Sequence, residues 1–152
     1  MKVALGSDHA GFELKNLMLQ EVAAGGHEPQ DLGVYDPTPS DYPDISEKLA
    51  LHLLAGNAER GILICGSGIG ASVAANKIPG IRAGLSTETY SGHQGVEHDD
   101  MNILVMAARV TGVEVAKEIV RAFLGAKFSG EERHVRRLAK VKAIEERYMK
   151  SP

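Results

Sequence analysis

The sequence predicts an α/β domain of three layers, in which helices cover both faces of a five-stranded parallel sheet and a further helix ends the chain. Short apolar, β-branched segments alternate with segments of helical periodicity along the 152 residues, and this alternation is typical of βαβ units. Residues 61–74 form the clearest unit, with a buried strand, a glycine loop and the start of a helix. The architecture is therefore Rossmann-like, although the order of the strands does not follow from the sequence.

Composition restricts the class of protein. One domain over residues 1–152 is the simplest organisation, and 43% hydrophobic with 24% charged residues indicates a globular chain. A net charge of −3 argues against nucleic acid or an acidic membrane as the main partner. No apolar run has the length of a membrane span or a signal peptide. The single cysteine has no partner for an internal disulfide, and we expect a soluble, cytoplasmic protein.

The elements of the first half follow from local patterns. An apolar run predicts the first strand, and apolar residues at helical spacing predict a helix that ends near Gly25 and Gly26. A short second strand ends at Gly33, and three prolines predict a surface loop over residues 35–43. Leucines at helical spacing predict the next helix. These elements are strand 2–5, the helix that begins at residue 12, strand 28–32 and helix 45–54.

The second half repeats the alternation. The run Gly-Ile-Leu-Ile is typical of a buried strand, and the glycine loop that follows it leads into a helix from Ala71. Two further apolar runs predict strands, and the polar stretch 86–102 between them has no predicted element. An amphipathic helix and a charged helix complete the chain. These elements are strands 61–64, 81–85 and 103–107, helix 113–124 and the C-terminal helix at about residues 131–149.

The candidate chemistry lies in loops that follow strands. Ligands of open α/β sheets bind beyond the carboxyl ends of the strands. This rule is expected to bring Asp8 and His9, the loop at residues 65–70, and His98 into one crevice. A thiol, two imidazoles, a carboxylate and a glycine-rich cradle would then share one site. The glycines and the helix start beside Cys65 would stabilise its thiolate.

Several residues also have simpler interpretations. Cys65 fits a small core residue, and Asp8 fits a cap for the following helix. No Cys/His cluster has the spacing of metal ligands, so no metal site is predicted. Arg133 and Arg137 are four residues apart, hence on one helix face, where a shared anion would offset their repulsion; a solvated charged helix is the alternative.

The glycine loop matches familiar nucleotide motifs poorly. No lysine follows the glycines, so the ATP/GTP-binding loop is excluded. Residues 66–71 satisfy a loose G-x-G-x-x-[GA] pattern, and a dinucleotide-binding module therefore stays open as a second hypothesis. A catalytically silent scaffold or sensor protein is a third.

Taken together, the motifs resemble a known family. The order and content of the short motifs are similar to those of ribose-5-phosphate isomerase B and the related galactose-6-phosphate and allose-6-phosphate isomerases, over nearly the whole chain. The matching segments are residues 7–11, 41–44, 65–70, 74–77, 80–83 and 97–100 with Asn102, and Arg133-His134 with Arg137.

The resemblance implies an aldose–ketose isomerase that interconverts ribose 5-phosphate and ribulose 5-phosphate through a cis-enediolate, without metal or organic cofactor. It makes Cys65 the base, His98 the residue that opens the furanose ring, and Ser67 a residue that orients the thiol or the enediolate. Backbone N–H groups of the glycine loop would stabilise the enediolate. The loop residues concerned are Gly66, Gly68, Ile69 and Gly70. Allose 6-phosphate, galactose 6-phosphate and tetrose phosphates are alternative substrates.

The resemblance also implies the groups that hold the substrate. Asp8 would bind sugar hydroxyls, Tyr42 would border the sugar, and Asp99 stands where asparagine is common. The expected phosphate ligands are His9, Arg109, Arg133 and Arg137. Family members are dimers, often paired into tetramers, with sites built from both subunits, so the C-terminal helix is expected to pack on a partner subunit or to reach its crevice. Neither a nucleic acid nor a membrane is expected as a partner.

Overall fold

A computed structural model describes residues 1–149 and contains a five-stranded sheet in which every paired strand is parallel. This confirms the predicted α/β class. The strands are β1 (Lys2–Ser7), β2 (Glu28–Asp31), β3 (Arg60–Cys65), β4 (Ala83–Leu85) and β5 (Ile103–Ala107). The helices are α1 (Phe12–Ala24), α2 (Tyr42–Leu54), α3 (Ile69–Ala75), α4 (Thr89–Asp99), α5 (Val113–Gly125) and α6 (Glu132–Tyr148).

The strand order β2-β1-β3-β5-β4 determines which face each helix covers. Crossovers between parallel strands are right-handed, so a reversal of direction along the sheet moves the helix to the other face. The connections β1 to β2 and β4 to β5 run one way, and α1 and α4 pack with α5 on one face. The connections β2 to β3 and β3 to β4 run the other way, and α2 and α3 cover the second face.

Side chains of β3 alternate between the two cores. Ile62 and Ile64 belong to the core under α1, α4 and α5, whereas Leu63 and Cys65 belong to the core under α2 and α3. This period of two is the expected pleat of a strand buried on both faces. The sulfur of Cys65 is thereby directed towards the N-terminal ends of α2 and α3.

The helix α4 is absent from the sequence-based prediction, which left residues 86–102 without an element. Gly92 and Gly95 lower its intrinsic helix propensity, and its apolar content is small. Tertiary contacts compensate, since α4 packs closely on α5 at Gly92. An ideal Cβ at Gly92 would lie 3.2 Å from Ile119 Cγ2, a tight contact that glycine avoids. The Glu88 side chain accepts the N–H of Ser91 at 3.0 Å and caps the first turn.

Two element boundaries also differ from the prediction. The helix α2 begins at Tyr42, inside the predicted loop, because Pro43 is compatible with the first helical turn. The strand β4 begins at Ala83 and not at residue 81. In addition, no helix within residues 1–149 is long and apolar enough to cross a membrane.

A buried lysine joins α1 to the carboxyl end of β2. The Lys15 side chain is 0% exposed, and its Nζ donates to Asp31 Oδ1 at 2.5 Å and to the Val34 carbonyl at 2.8 Å. The rings of Phe12 and Tyr35 lie 5.6 and 5.5 Å from the ammonium group. Every ammonium contact is thus internal to the fold.

We expect Lys15→Ala to lower the free energy of unfolding by about 3 kcal/mol, because the variant leaves the Asp31 carboxylate without its partner in a partly buried site. Urea unfolding measures this loss. The matched control is Arg136→Ala, which removes an exposed i,i+4 ion pair with Glu132 and should cost far less. Equal losses in the two variants would contradict the structural role of Lys15.

Candidate active site

The glycine loop after β3 turns back over the sulfur of Cys65. The Gly68 N–H donates to Cys65 Sγ at 3.1 Å, in a backbone conformation with φ of +78° that favours glycine. Cys65 itself is 4% exposed, whereas Ser67 and Ile69 on either side of Gly68 are exposed. The loop that holds the sulfur therefore forms part of the protein surface.

Tyr42 covers the far end of this loop. An ideal Cβ on Gly70 would lie 2.7 Å from Tyr42 Cζ, so the phenol ring packs directly on the glycine backbone. Tyr42 is 41% exposed and supplies one wall beside the loop. The structure thus brings Tyr42 and Gly70, two of the predicted site residues, into contact.

The loop after β1 borders Cys65 on the other side. The Asp8 N–H donates to the carbonyl of Ile64 at 3.2 Å, and Asp8 Oδ1 accepts the Gly11 N–H at 3.0 Å. One carboxylate oxygen therefore stabilises the turn before α1. The N-cap of α1 is Gly11, which has no side-chain cap, so Asp8 does not cap the helix itself. His9 exchanges two hydrogen bonds with Ser40: its N–H donates to Ser40 Oγ at 3.0 Å, and its Nδ1 accepts the Ser40 N–H at 3.2 Å.

Arg109 approaches the glycine loop from the carboxyl end of β5. Its N–H donates to the Gly66 carbonyl at 3.0 Å, and its Cδ and Nε lie 3.5 Å from the position of a Cβ on Gly66. The side chain is exposed and carries a positive charge beside the loop. The residues that the structure gathers at this carboxyl edge, hereafter the thiol half-site, are Asp8, His9, Tyr42, Cys65, Gly66, Ser67, Gly68, Ile69, Gly70 and Arg109.

The expectation that His98 shares this crevice within one chain is wrong. The helix α4 begins beyond the carboxyl end of β4 and runs back along the sheet for 11 residues, a length of about 16 Å. His98 therefore lies near the amino end of β5, where Asn102 donates its N–H to the Arg82 carbonyl. The strand-end rule failed for His98 because it applies to residues that directly follow a strand, and a helix separates His98 from β4.

A second group of predicted residues surrounds His98 at the amino edge. The N-terminal end of α6 meets the C-terminal end of α4 there, because the Ser129 N–H donates to the Glu97 carbonyl at 2.9 Å. The rings of His98 and His134 stack with centroids 3.9 Å apart and an interplanar angle of 27°. The residues at this edge, hereafter the imidazole half-site, are Gln94, Glu97, His98, Asp99, Ser129, Arg133, His134 and Arg137.

One of the two arginines of the imidazole half-site, Arg133, lies beside a carboxylate. Arg133 and Arg137 are both exposed, and Arg133 Nε forms an ion pair with Glu131 Oε2 at 3.0 Å. Asp99, also exposed, lines a cavity of about 490 Å³ between β4, α4 and α6. That cavity and one of about 380 Å³ beside residues 32–48 do not include Cys65. The described part of one chain thus shows two open half-sites in place of one enclosed crevice.

His134 was overlooked as a site residue, although it lies next to Arg133 in the sequence. The ring is 1% exposed, its Nδ1 lies 2.6 Å from Ser129 Oγ, and its Nε2 has no hydrogen-bond partner among the described residues. Burial of the ring is the main cause that lowers the pKa of His134; the neighbouring His98, Arg133 and Arg137 act in the same direction, and Glu131 opposes them. A neutral His134 at neutral pH follows.

We expect Gly68→Ala to destabilise the protein and to reduce turnover, because the added Cβ would lie 2.4 Å from Leu85 Cδ1 in a left-handed backbone. Gly56→Ala is the matched control, since Gly56 has φ of +75° but nothing within 4 Å of its ideal Cβ. In both variants the left-handed backbone lowers the free energy of unfolding by about 1–2 kcal/mol. Only Gly68→Ala adds the clash with Leu85 and displaces the N–H group that donates to Cys65. Thermal unfolding and steady-state kinetics measure the difference, and identical behaviour of the two variants would contradict it.

Comparisons with known proteins agree with the motifs. The family model described as ribose/galactose isomerase matches residues 3–141. Ribose-5-phosphate isomerase B of Escherichia coli (strain K12) is 43% identical over 146 residues, 96% of this chain and 97% of that protein. D-erythrulose-4-phosphate isomerase of Pectobacterium atrosepticum is 39% identical over 132 residues, 86% of each. A solved structure of Clostridium thermocellum ribose-5-phosphate isomerase B has a TM-score of 0.94 and 42% identity, covering 97% of this chain and 99% of that one.

Proposed function

The chain belongs to the ribose/galactose isomerase family, and we propose that it is an isomerase interconverting D-ribose 5-phosphate and D-ribulose 5-phosphate. The observation that carries this proposal is the thiol of Cys65 at the end of β3, held under the Gly68 N–H in a loop on which Tyr42 packs at Gly70. Its support is the near full-length similarity to proteins named ribose-5-phosphate isomerase B. The family includes a relative named for a tetrose phosphate, and such sugars are controls for specificity.

Cys65 is the proposed base of the isomerisation. Its thiolate takes the proton from C2 of the open-chain aldose, and the electron pair of the broken C–H bond forms the C1–C2 double bond of a cis-enediolate. The negative charge develops on the former carbonyl oxygen, which needs hydrogen-bond donors. The protonated thiol then returns its proton to C1, and the proton of the C2 hydroxyl moves to the C1 oxygen, which gives the ketose and a neutral C1 hydroxyl. No step of this scheme requires a metal or an organic cofactor.

The loop residues have matching proposed roles. Ser67 Oγ accepts the Ile69 N–H at 3.3 Å, so its own proton is directed to another acceptor, and the developing oxyanion is a suitable one. The exposed backbone around Ser67 and Ile69 can approach the sugar closely. Asp8 has a second carboxylate oxygen, Oδ2, for sugar hydroxyls, because Oδ1 is engaged by Gly11.

We further propose a homodimer with shared sites, in which the thiol half-site of one subunit meets the imidazole half-site of the other. The separation of the two half-sites within one chain supports this arrangement. The thiol half-site has the base, Arg109 and His9, whereas the imidazole half-site has His98, Arg133 and Arg137 but no base. Guanidinium groups from both subunits would bind the phosphate, and His98 would act on the furanose ring.

A coupled assay of the purified protein against ribose 5-phosphate, allose 6-phosphate, galactose 6-phosphate and tetrose phosphates tests the proposed substrate. Ribose 5-phosphate should have the highest kcat/KM. A higher kcat/KM for a hexose or a tetrose phosphate would show that the proposed substrate is wrong and the proposed reaction type is right. No turnover of any of these sugar phosphates would contradict the proposal that the protein is an isomerase. The cytoplasm is the proposed compartment, because its reducing conditions keep the Cys65 thiol free.

A further inference from the structure

The ring of His98 is held from three directions. His134 covers one ring face at a centroid distance of 3.9 Å. Gln94, one helical turn earlier on α4, places its Nε2 2.9 Å from His98 Nδ1. The Glu97 carboxylate lies 3.8 Å from His98 Nε2. The His98 side chain is 30% exposed, so the ring is fixed without being enclosed.

The two nitrogens of His98 face groups of opposite character. An amide nitrogen only donates hydrogen bonds, so the nitrogen that it meets must accept with a lone pair. A carboxylate only accepts, so it favours a proton on the nitrogen that faces it. Gln94 and Glu97 therefore agree on the same tautomer, with Nδ1 bare and the proton on Nε2. Two independent side chains are consistent with one state of the ring.

We propose that Gln94 is a positioning residue that fixes the neutral tautomer of His98, so that the ring offers Nε2–H, and not a lone pair, to the sugar in the partner subunit's half-site. This inference rests on the proposed function, in which His98 meets the substrate. The role of Gln94 follows from the general rule that the partner of one imidazole nitrogen sets the protonation of the other. A hydrogen bond from Nε2–H to the ring oxygen would favour opening of the furanose.

Neighbouring groups from both helices act on the same ring. On α4, Glu97 also lies 3.7 Å from His93 Nε2, so the carboxylate is shared between two imidazoles. On α6, the ring of His134 stacks on His98, and the cationic side chains of Arg133 and Arg137 belong to the same half-site. The hydrogen bond from the Gln94 amide needs the lone pair of His98 Nδ1, so it forms only when that nitrogen is bare.

The chain offers a second glutamine–histidine pair as a control. His52 Nε2 lies 2.7 Å from Gln30 Oε1, between α2 and β2 and outside both half-sites. Here the oxygen of the amide faces the ring, so it accepts a hydrogen bond from a protonated Nε2 of His52. The tautomer is the same as the one proposed for His98, but an acceptor selects it and not a donor. Gln30→Met should change the tautomer of His52 alone.

The test uses the full-length protein, uniformly labelled with ¹⁵N, and long-range ¹H–¹⁵N correlation spectra that report the protonation of each ring nitrogen. Wild-type His98 should show a bare Nδ1 and a protonated Nε2. Gln94→Glu places a carboxylate against Nδ1 and should move a proton onto that nitrogen, whereas Gln94→Met should leave a mixture of tautomers. Gln30→Met should not alter the His98 signals. A proton on wild-type Nδ1, or an unchanged His98 in Gln94→Glu, would overturn the proposal.

Kinetics provide the second readout. Gln94→Glu should lose about tenfold or more in kcat/KM for ribose 5-phosphate, a part of the hundredfold or more that a positioned proton donor contributes. Exchange of the C1 proton of open-chain ribulose 5-phosphate in D₂O should be affected less, because that enolisation needs no ring opening. An equal loss in C1 exchange and in isomerisation would overturn the link to ring opening. The spectra do not require turnover, so failure of the tautomer assignment is distinguishable from failure of the proposed function.

Discussion

Replacement of Cys65 by alanine is expected to abolish isomerisation, with a loss of about 10³-fold or more in kcat, as for removal of a positioned base. The variant lacks the only group at the thiol half-site that we propose to take the C2 proton. Substrate binding should change little, because the proposed phosphate ligands are retained. Loss of the C2–H signal of ribose 5-phosphate in D₂O, followed by proton NMR, measures the proton transfer directly.

Cys65→Ser is the matched control for packing. The residue is 4% exposed and lies in the core with Ala4, Leu63 and Ala71, so alanine removes buried volume whereas serine is close in size. Serine is a far weaker base at neutral pH, and both variants should therefore be inactive while the serine variant keeps the wild-type unfolding temperature. Appreciable exchange of the C2 proton in either folded variant would contradict the proposal that the Cys65 thiol is the base.

Mixing two inactive variants is expected to restore activity. Cys65→Ala lacks the base, and His98→Asn lacks the ring-opening group, so each homodimer is impaired on ribose 5-phosphate. In a hybrid dimer, one site combines both substitutions and the other combines an intact thiol half-site with an intact imidazole half-site. Random pairing of equal amounts makes half of the dimers hybrid, so about a quarter of the wild-type activity should return.

The physical reason is the distance between the two groups within one chain. In the register of β3 and β5, Cys65 pairs with Ala107 and Gly61 with Ile103. Asn102 precedes Ile103 and therefore lies at the far end of the sheet from the thiol, separated by about 16 Å along the strand. His98 precedes that end of β5. The complementation is measured after co-refolding, with each variant refolded alone as control; no recovery in the mixture would contradict shared sites.

Much of the fold was predictable because β3, β5 and α5 have strong local signals. Continuous β-branched runs in β3 and β5 match strands buried on both faces, and the amphipathic pattern of α5 matches its burial against the sheet. The helix α4 had no such signal. Its two glycines disfavour a helix locally, and its stability comes from packing on α5 through Gly92, which local propensity does not report.

The candidate site was predictable in its residue types and partly in its placement. Asp8 follows β1 directly and Cys65 ends β3, so the carboxyl-edge rule predicted a shared neighbourhood for these two residues. Arg109 was predicted only from the family resemblance. The rule gave a wrong position for His98, because the direction of α4 had not been recognised. Gln94 is four residues before His98, but this spacing brings two side chains together only on a helix. Because α4 was not predicted, Gln94 was overlooked.

The amino-acid sequence by itself determined the α/β class, the central strands of the sheet and the residue types of the thiol loop. These features depend on short-range periodicity and on turns that require glycine. The tertiary structure alone decided the strand order, the direction of α4 and the division of the site into two half-sites at opposite edges. These features depend on contacts between residues far apart in sequence, such as His98 on His134 and Gly66 beside Arg109. Local sequence patterns do not predict such contacts, because the contacts form only when the elements of the whole domain pack together.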